Sequence, residues 1–525
     1  MKNDKYKGWV KTVSLALPSL QDNTSDADRL ARALKKELKT DFIKIDLEIL
    51  RHLPNFLRKW DFTARCVVFK NHGQWILAGI CDPRETTPPA GMAADLGTTR
   101  IVLRLINLLS GKILAESSFD NPQISIGQDI LTRVHFADTD KGLEKLNHLI
   151  VGSINRNIED LCKTCNLKPE HVYLISIAGN TAMTHFLMGL DTHWLIREPY
   201  IPVINSPGLI KAKAMGIKVN PAAQVMIFPN IGSYFGGDLI SGILFSGMNQ
   251  SEETAILIDV GTNAEVVFGN SNWLIACAGA AGPALESGVT RMGMMAGPGA
   301  IDRVAIDPVT RKFQIHAIGN MPPKGICGSG LIDLVAQLFL SGLIDIRGKL
   351  VLETCGSRFL KKSGNARLIV VPAEKSATGK DLTISQADID SLIKAKAAMY
   401  TILETITASV GMAPQDIKIF YIAGTFGSFI NPGSAVSIGM LPDIPAESYK
   451  TLGNSSLGGA TMVLNCCDCI DEIDAIRNRI TYLELNVNQE FMNRLSAAEF
   501  IPHTDTRLFR SVKNPGTEDQ ALVCP

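Results

Sequence analysis

Two aspartates stand in matching surroundings a domain's length apart. Asp95 closes an apolar run in ADLGTTRIVLRL (94–105), and Asp259 does the same in IDVGTNAEVVFG (258–269). Each stretch reads apolar–Asp–apolar–Gly–Thr and continues into residues that favour a strand. The local prediction is strand–turn–strand, with Gly97 making the first tight turn and the hydroxyls of Thr98 and Thr99 projecting beside exposed backbone N–H groups. Such a concavity suits a phosphate. Gly261, Thr262 and Asn263 offer the same in the second copy. One hairpin of this kind says little, because many contain Gly-Thr. A pair suggests duplicated α/β subdomains facing one another. Each aspartate sits at a strand end where a packing residue would serve as well.

Other stretches could also meet an anion or a flat ligand. GICGSGLIDLVAQLFLSGLID (325–345) places a Gly-Ser-Gly turn, with Gly328 and Ser329, at the start of a helix. LIACAGAAGPALESGVTRMGMMAGPGAI (274–301) reads as a Gly/Ala-rich turn running into a helix and then a Gly-Pro-Gly turn. Both offer backbone donors and the positive end of a helix dipole. A strand in IKIFYIAGTFG (417–427) ends in Gly424, Thr425 and Gly427, whose small residues let the chain approach an adenine base closely. Asp238 in GGDLIS opens a helix; it either caps that helix or positions a water.

The elements needed to hold these loops are legible around them. Residues 1–84 read as a small α/β domain: a strand near the N-terminus, a helix over 26–38 and a hairpin in CVVFK-NHG-QWILAGI. RETTPPAG marks a linker, placed at 85–92. One subdomain then spans 93–250 and a second 251–465, with 466–525 returning to the core. Helix periodicity runs through 142–165 and about 384–410, and a buried strand through VYLISIAGN.

The bulk numbers exclude several classes. The 525-residue chain is 46% hydrophobic and 20% charged, and Lys+Arg and Asp+Glu balance at 52 each. That balance gives no bulk pull toward nucleic acid or a membrane surface. No apolar window approaches a membrane span, and the N-terminus lacks a signal-peptide pattern, so the expectation is a cytoplasmic protein. The 11 cysteines read as cytosolic thiols. Cys162 and Cys165 form a C-x-x-C at the end of an amphipathic helix, expected to be packing thiols. Cys466, Cys467 and Cys469 crowd together, a spacing that seldom ligates one metal.

Two phosphate loops followed by a glycine-rich adenosine loop resemble the actin–sugar kinase–Hsp70 ATPase superfamily. More narrowly, residues 7–505 resemble the reductive activators of corrinoid-dependent enzymes, through ADLGTTRIVLRL, IAGNTAMTHF, PNIGSYFGGDLISG, IDVGTNAEVVF, GICGSGLIDL and AGTFGSFINPGSAVSIGMLPD. The resemblance implies an α/β fold: a duplicated RNase-H-like (actin/Hsp70-type) ATPase core with a small N-terminal α/β domain. It implies ATP-dependent return of a cob(II)alamin protein to cob(I) in a methyl-transfer system, with ATP and Mg²⁺ as cofactors and a corrinoid protein as partner. A homodimer is plausible from the family alone.

The same resemblance distributes roles. Asp95 and Asp259 hold Mg²⁺, through its waters. Gly97, Thr98 and Thr99 cradle the phosphates from one side and Gly261, Thr262 and Asn263 from the other. Glu286 contacts the ribose, and Gly424, Thr425 and Gly427 line the adenine pocket. Family activators usually begin with a plant-type [2Fe–2S] domain, and no C-x4-C-x2-C spacing occurs in this sequence. No [2Fe–2S] cluster is therefore expected in this chain, and the electron is expected from a separate ferredoxin-like protein. Arg100, where the family has small or β-branched residues, is expected to face solvent, and His185 to be a satisfied core histidine. The alternatives are an ATP-switched binding module for a corrinoid protein and a small-molecule kinase of the same superfamily. A further one resembles the activators of acyl-CoA dehydratases, with Cys277 as a cluster ligand.

Overall fold

The structure, a computed structural model, describes residues 8–71, 73–260, 263–280, 290–362, 365–427, 429–485 and 489–513. The chain forms two compact units, Met1–Gly247 with Ser455–Arg479, and Met248–Asn454 with Ile480–Pro525.

The first unit opens with a four-stranded sheet. Its elements are β1 (Val10–Ser14), α1 (Asp26–Leu38), β2 (Ile43–Ile45), α2 (Leu47–Leu50), α3 (Leu53–Lys59), β3 (Thr63–Asn71) and β4 (Gln74–Cys81), with strand order β1-β3-β4-β2. Helix α1 starts where the Ser25 hydroxyl accepts the Asp28 N–H, and it buries Leu30 and Leu34 in the core beside the sheet. A second sheet follows from β5 (Ala90–Leu96), β6 (Arg100–Asn107), β7 (Ile113–Asp120), α4 (Ile130–Ala137), α5 (Asp140–Thr164), β8 (Val172–Gly179), α6 (Thr181–Met188), β9 (Leu209–Lys211), β10 (Gln224–Ile227) and α7 (Gly237–Ser246). Strand β5 begins inside the stretch read as a linker.

The order of that sheet is β7-β6-β5-β8-β10-β9. An antiparallel meander joins β5, β6 and β7, and β5, β8 and β10 run parallel. Strands β5 and β8 are buried almost throughout, as their near-continuous apolar runs require. Helix α5 turns Leu146, Ile150, Ile154, Ile158 and Leu161 into the same core.

The second unit repeats the plan. Strands β11 (Ala255–Val260), β12 (Asn263–Gly269) and β13 (Leu274–Ala280) make the meander. Next come β14 (Ala300–Ile306), β15 (Phe313–Ala317), β16 (Gly325–Ile326), α8 (Gly328–Leu340), α9 (Leu352–Cys355), β17 (Phe359–Lys362), β18 (Asn365–Val371) and β19 (Leu382–Ser385), then α10 (Gln386–Ala408), β20 (Ile419–Ala423), α11 (Gly424–Gly427), α12 (Pro432–Ser437) and β21 (Tyr449–Gly453). The chain then supplies α13 (Ser455–Asn465) and α14 (Cys469–Arg479) to the first unit, and β22 (Ile480–Tyr482) and α15 (Gln489–Ala498) to the second. The second large sheet reads β21-β20-β11-β12-β13-β22, and β11 pairs parallel with β20 as β5 does with β8. Both sheets thus carry the RNase-H-like arrangement.

One reading needs correction. The start of 274–301 is strand β13 and not a turn: Cys277 faces Val266 across an antiparallel pair, and a Cβ at Gly279 would come within 2.6 Å of Ile402 on α10. The small residues read as turn-formers let that helix lie close to the sheet. The helix expected after it, with Glu286, lies outside the described residues.

Candidate active site

In the first unit, Asp95 is the penultimate residue of β5, half-buried, with Ala178 of β8 beside it on the parallel side and Val102 of β6 on the other. The turn after it is held from three directions. A Cβ at Gly97 would lie 2.3 Å from the Arg100 carbonyl oxygen, so the turn closes only around a glycine. The Asn121 amide donates to the Gly97 carbonyl at 2.9 Å, and its backbone N–H donates to the Thr99 carbonyl at 2.8 Å. Asn180 caps α6 by accepting the Met183 N–H at 2.9 Å and donates its amide to the Thr98 hydroxyl at 3.0 Å. The Asp95 carboxylate accepts the Ser456 hydroxyl at 2.7 Å. Ser456 is fixed in turn, since its carbonyl accepts the Ser241 hydroxyl at 2.7 Å. Helices α7 and α13 approach closely there because Gly459 leaves room: a Cβ would meet the Ser241 carbonyl oxygen at 2.2 Å.

Asp238 joins this group. The sequence leaves it as either a helix cap or a water-positioning group, and the structure places it inside the first turn of α7, two residues after the cap. Gly236, which has no side chain to offer, is the cap residue of α7, and Asp238 inside the first turn accepts the N–H of its neighbour Leu239 at 3.0 Å. Gly236 separates the Asp238 carboxylate from Asn180: its Cβ would lie 2.5 Å from one and 2.6 Å from the Cα of the other.

In the second unit Asp259 is again penultimate in its strand, half-buried, with Ala423 of β20 on the parallel side and Glu265 of β12 on the other. Gly424 follows Ala423 with φ +82°, and a Cβ there would come 2.7 Å from Asp259 Oδ1. Gly424 therefore lies against the carboxylate. Gly261, Thr262 and Glu286 lie outside the described residues, as do the side chains of Asn263 and Thr425. Gly427 is buried behind the turn, its Cα close to Ile422. Gly328 and Ser329 form the buried first turn of α8, where the Ser329 hydroxyl meets the Cys327 thiol at 3.3 Å.

The remaining sequence readings resolve plainly. Arg100 is exposed on β6. His185 is fully buried and satisfied: Nδ1 donates to the Thr181 carbonyl at 2.7 Å and Nε2 accepts the Val203 N–H at 3.2 Å, while burial lowers its pKa. Burial raises the Cys277 thiol's pKa, which disfavours the thiolate a cluster would need. Residues the sequence reading missed are Asn180, Asn121, Ser456 and Gly459. A signal existed for the first, since IAGN (177–180) and IAGT (422–425) follow the same strand in the two units.

Comparison with known proteins agrees over almost the whole length. Residues 9–82 match the RACo linker region, 90–251 the RACo middle region, and 253–513 the C-terminal domain of RACo, the ASKHA domain. A solved structure of a reductive activator for corrinoid, iron–sulfur protein superposes with a TM-score of 0.86 at 36% identity, covering 98% of this chain and 82% of that one. The chain belongs to the RACo family. Among curated relatives, the corrinoid activation enzyme RamQ of Eubacterium limosum is 29% identical over 477 residues, 89% of this chain and 79% of that protein. The [Co(II) methylated amine-specific corrinoid protein] reductase of Methanosarcina barkeri is 24% identical over 445 residues, 77% and 75% of the two chains. The RACo fold thus accounts for the duplicated sheets and the small N-terminal sheet. Among the described residues no helix is long and apolar enough to cross a membrane.

Proposed function

We propose that this RACo-family protein is a cytoplasmic ATPase that drives reductive activation of a corrinoid protein, from cob(II) to cob(I), with the electron supplied by a separate ferredoxin-like donor. The observation that carries the nucleotide part is the repeated strand-end aspartate, set beside a glycine-bounded turn in each unit. These residues fit magnesium and phosphate. The carboxylates are half-buried hard oxygen donors, each beside a backbone segment so close that only glycine fits, at Gly97 and at Gly424. Mg²⁺, when bound, neutralises the phosphate charge and fixes the geometry of in-line attack.

The chain's own residues do the rest. Asp95, oriented by Ser456, and Asp259 would each offer a carboxylate to hydrated Mg²⁺. Thr98 and Thr99 with the Gly97 backbone, and Gly261, Thr262 and Asn263 in the other copy, cradle the phosphates. The N-terminal turn of α8 at Gly328 and Ser329 supplies further N–H donors. Asp238 orients water. Glu286, Gly424, Thr425 and Gly427 contact the nucleoside. ATP changes the partner's reduction only so far as it binds one conformation better than another. Each ~59 mV by which the reduction is made easier is a factor of ten in its equilibrium.

The test mixes the purified protein with a cob(II) corrinoid methyltransferase protein, a low-potential reductant and Mg·ATP while corrinoid absorbance is followed. Appearance of cob(I) only with ATP, together with hydrolysis stimulated by the corrinoid protein, supports the reading. Hydrolysis indifferent to the corrinoid protein, with a phosphorylated small molecule as product, replaces it with a kinase.

A further inference from the structure

Between α13 and α14 the chain reads Cys466-Cys467-Asp468-Cys469, which contains a C-x-x-C that the nucleotide chemistry does not use. The turn holds the first and last cysteines together. The Cys469 N–H reaches the Cys466 carbonyl at 3.4 Å, and the Cys469 thiol donates to the Cys466 sulfur, which also accepts the backbone N–H groups of Asp468 and Cys469. Those donors, together with the positive end of α14, favour a thiolate at Cys466, whose pKa is pulled down to about 6. Cys469, which gives its proton to that interaction, is buried and has its pKa raised. Cys466 is half-exposed; Cys467, beside it, is buried, with its pKa pushed up to about 12 by burial, against the pull of the Lys11 and Lys70 charges. Asp468 opposes the thiolate from the exposed side of the turn. The half-exposed Cys466 thiol thus has its pKa lowered, and the buried Cys469 thiol has its pKa raised. A metal is not the reading, since the described residues contain no group of three or more His, Cys, Asp or Glu arranged to hold one.

We propose that Cys466 and Cys469 form a thiol–disulfide exchange site, with Cys466 attacking and Cys469 resolving, that takes a soluble disulfide as its substrate. The Cys466 thiolate attacks one sulfur of R–S–S–R, the S–S bond breaks, and RS⁻ leaves as a mixed disulfide forms. Cys469 then loses its proton to solvent and attacks Cys466 Sγ, expelling the second RS⁻. Two protein thiols are oxidised to one intrachain disulfide, and one external disulfide is reduced to two thiols.

The chain carries its own control. Cys162 and Cys165 have the same spacing but lie at the C-terminal end of α5, where the helix dipole opposes a thiolate. Cys162 is buried there, and burial pushes its pKa up to about 11.

The experiment equilibrates the full-length protein in buffers of graded oxidised to reduced glutathione, quenches with acid, alkylates the remaining thiols and maps peptides. The expected result is a Cys466–Cys469 disulfide accumulating ahead of any other pairing, with iodoacetamide labelling Cys466 roughly tenfold or more faster than Cys162 near neutral pH. Cys469→Ser should trap glutathione on Cys466, and Cys467→Ser should form the disulfide as the unmodified chain does. Oxidation spread without preference, a bond to Cys467, equal labelling of Cys466 and Cys162, or thiols that stay reduced in the most oxidising buffer would each overturn the proposal. The unmodified chain alone decides the outcome, so a variant that fails to fold does not obscure it.

Discussion

The two aspartate loops are copies of one design held in different ways. Asp95 accepts a hydroxyl from Ser456, a residue 361 positions away, and the turn beside it is tied by Asn121 and Asn180. Asp259 instead has the Cα of Gly424 against its carboxylate, in a left-handed backbone conformation. Both contacts come from far along the chain: a serine hydroxyl is set against Asp95 and a glycine backbone against Asp259. A charge and its strand position are thus duplicated while the groups set against them differ, and single substitutions should hurt the two copies differently.

Removing either charge should have the largest effect. Asp259→Ala is expected to lower the ATP hydrolysis rate by about a hundredfold or more, the scale of losing one group that stabilises developing phosphate charge, measured as phosphate release at saturating ATP. Next comes the support of the second copy. Gly424→Ala places a methyl group against Asp259 at a positive φ, so nucleotide affinity should fall by roughly tenfold or more while thermal unfolding shifts by a modest ~1 kcal/mol of strain. Calorimetric titration paired with a melting curve checks both, and a large stability loss with unchanged affinity would make Gly424 purely structural.

Ser456→Ala should be milder. It removes one hydrogen bond to a carboxylate, worth about 1.5–3 kcal/mol, and its loss should appear as weaker Mg²⁺ dependence of hydrolysis with little change in fold. If Ser456→Ala proves indistinguishable from the unmodified chain, the contrast between the two copies loses its content.

The smallest expected effect concerns the second unit alone. Lys396 is buried on α10, with its ammonium donating to the Phe500 and Pro502 carbonyls, and burial lowers its pKa to about 7 against the resistance of Glu499. Between about pH 7 and its ordinary value the unfolded chain binds the proton that the folded chain lacks. Stability should therefore rise with pH across that window, by at most about 1.4 kcal/mol per pH unit. Lys396→Met should flatten that rise in denaturant melts relative to the unmodified chain, and an unchanged slope would contradict the assignment.

How much of this was legible before the structure depends on the range of the interactions. Local signals served well: helix α1 starts and ends where Ser25 and the run to Leu38 predicted, and the turns at Gly97 and Gly424 lie where the sequence put them. Duplication was readable because apolar–Asp–apolar–Gly is a local pattern. Asp238 stayed open between two roles, because an aspartate at a helix start looks like a cap whether it lies before or inside the first turn, and only the backbone separates the two. Ser456 was illegible for another reason. Its role rests on Gly459 letting α13 approach α7, and no window of sequence links residues 95, 241 and 456. The Gly/Ala run of β13 failed similarly, since small residues that suit a turn also suit a strand under a closely packed helix.

The central claim is that each copy of the loop contributes to nucleotide binding. The direct measurement is calorimetric titration of Mg·ATP into the unmodified chain, Asp95→Ala and Asp259→Ala. The expected result is saturable binding of Mg·ATP to the unmodified chain that each substitution weakens. Either variant binding with undiminished affinity would contradict it.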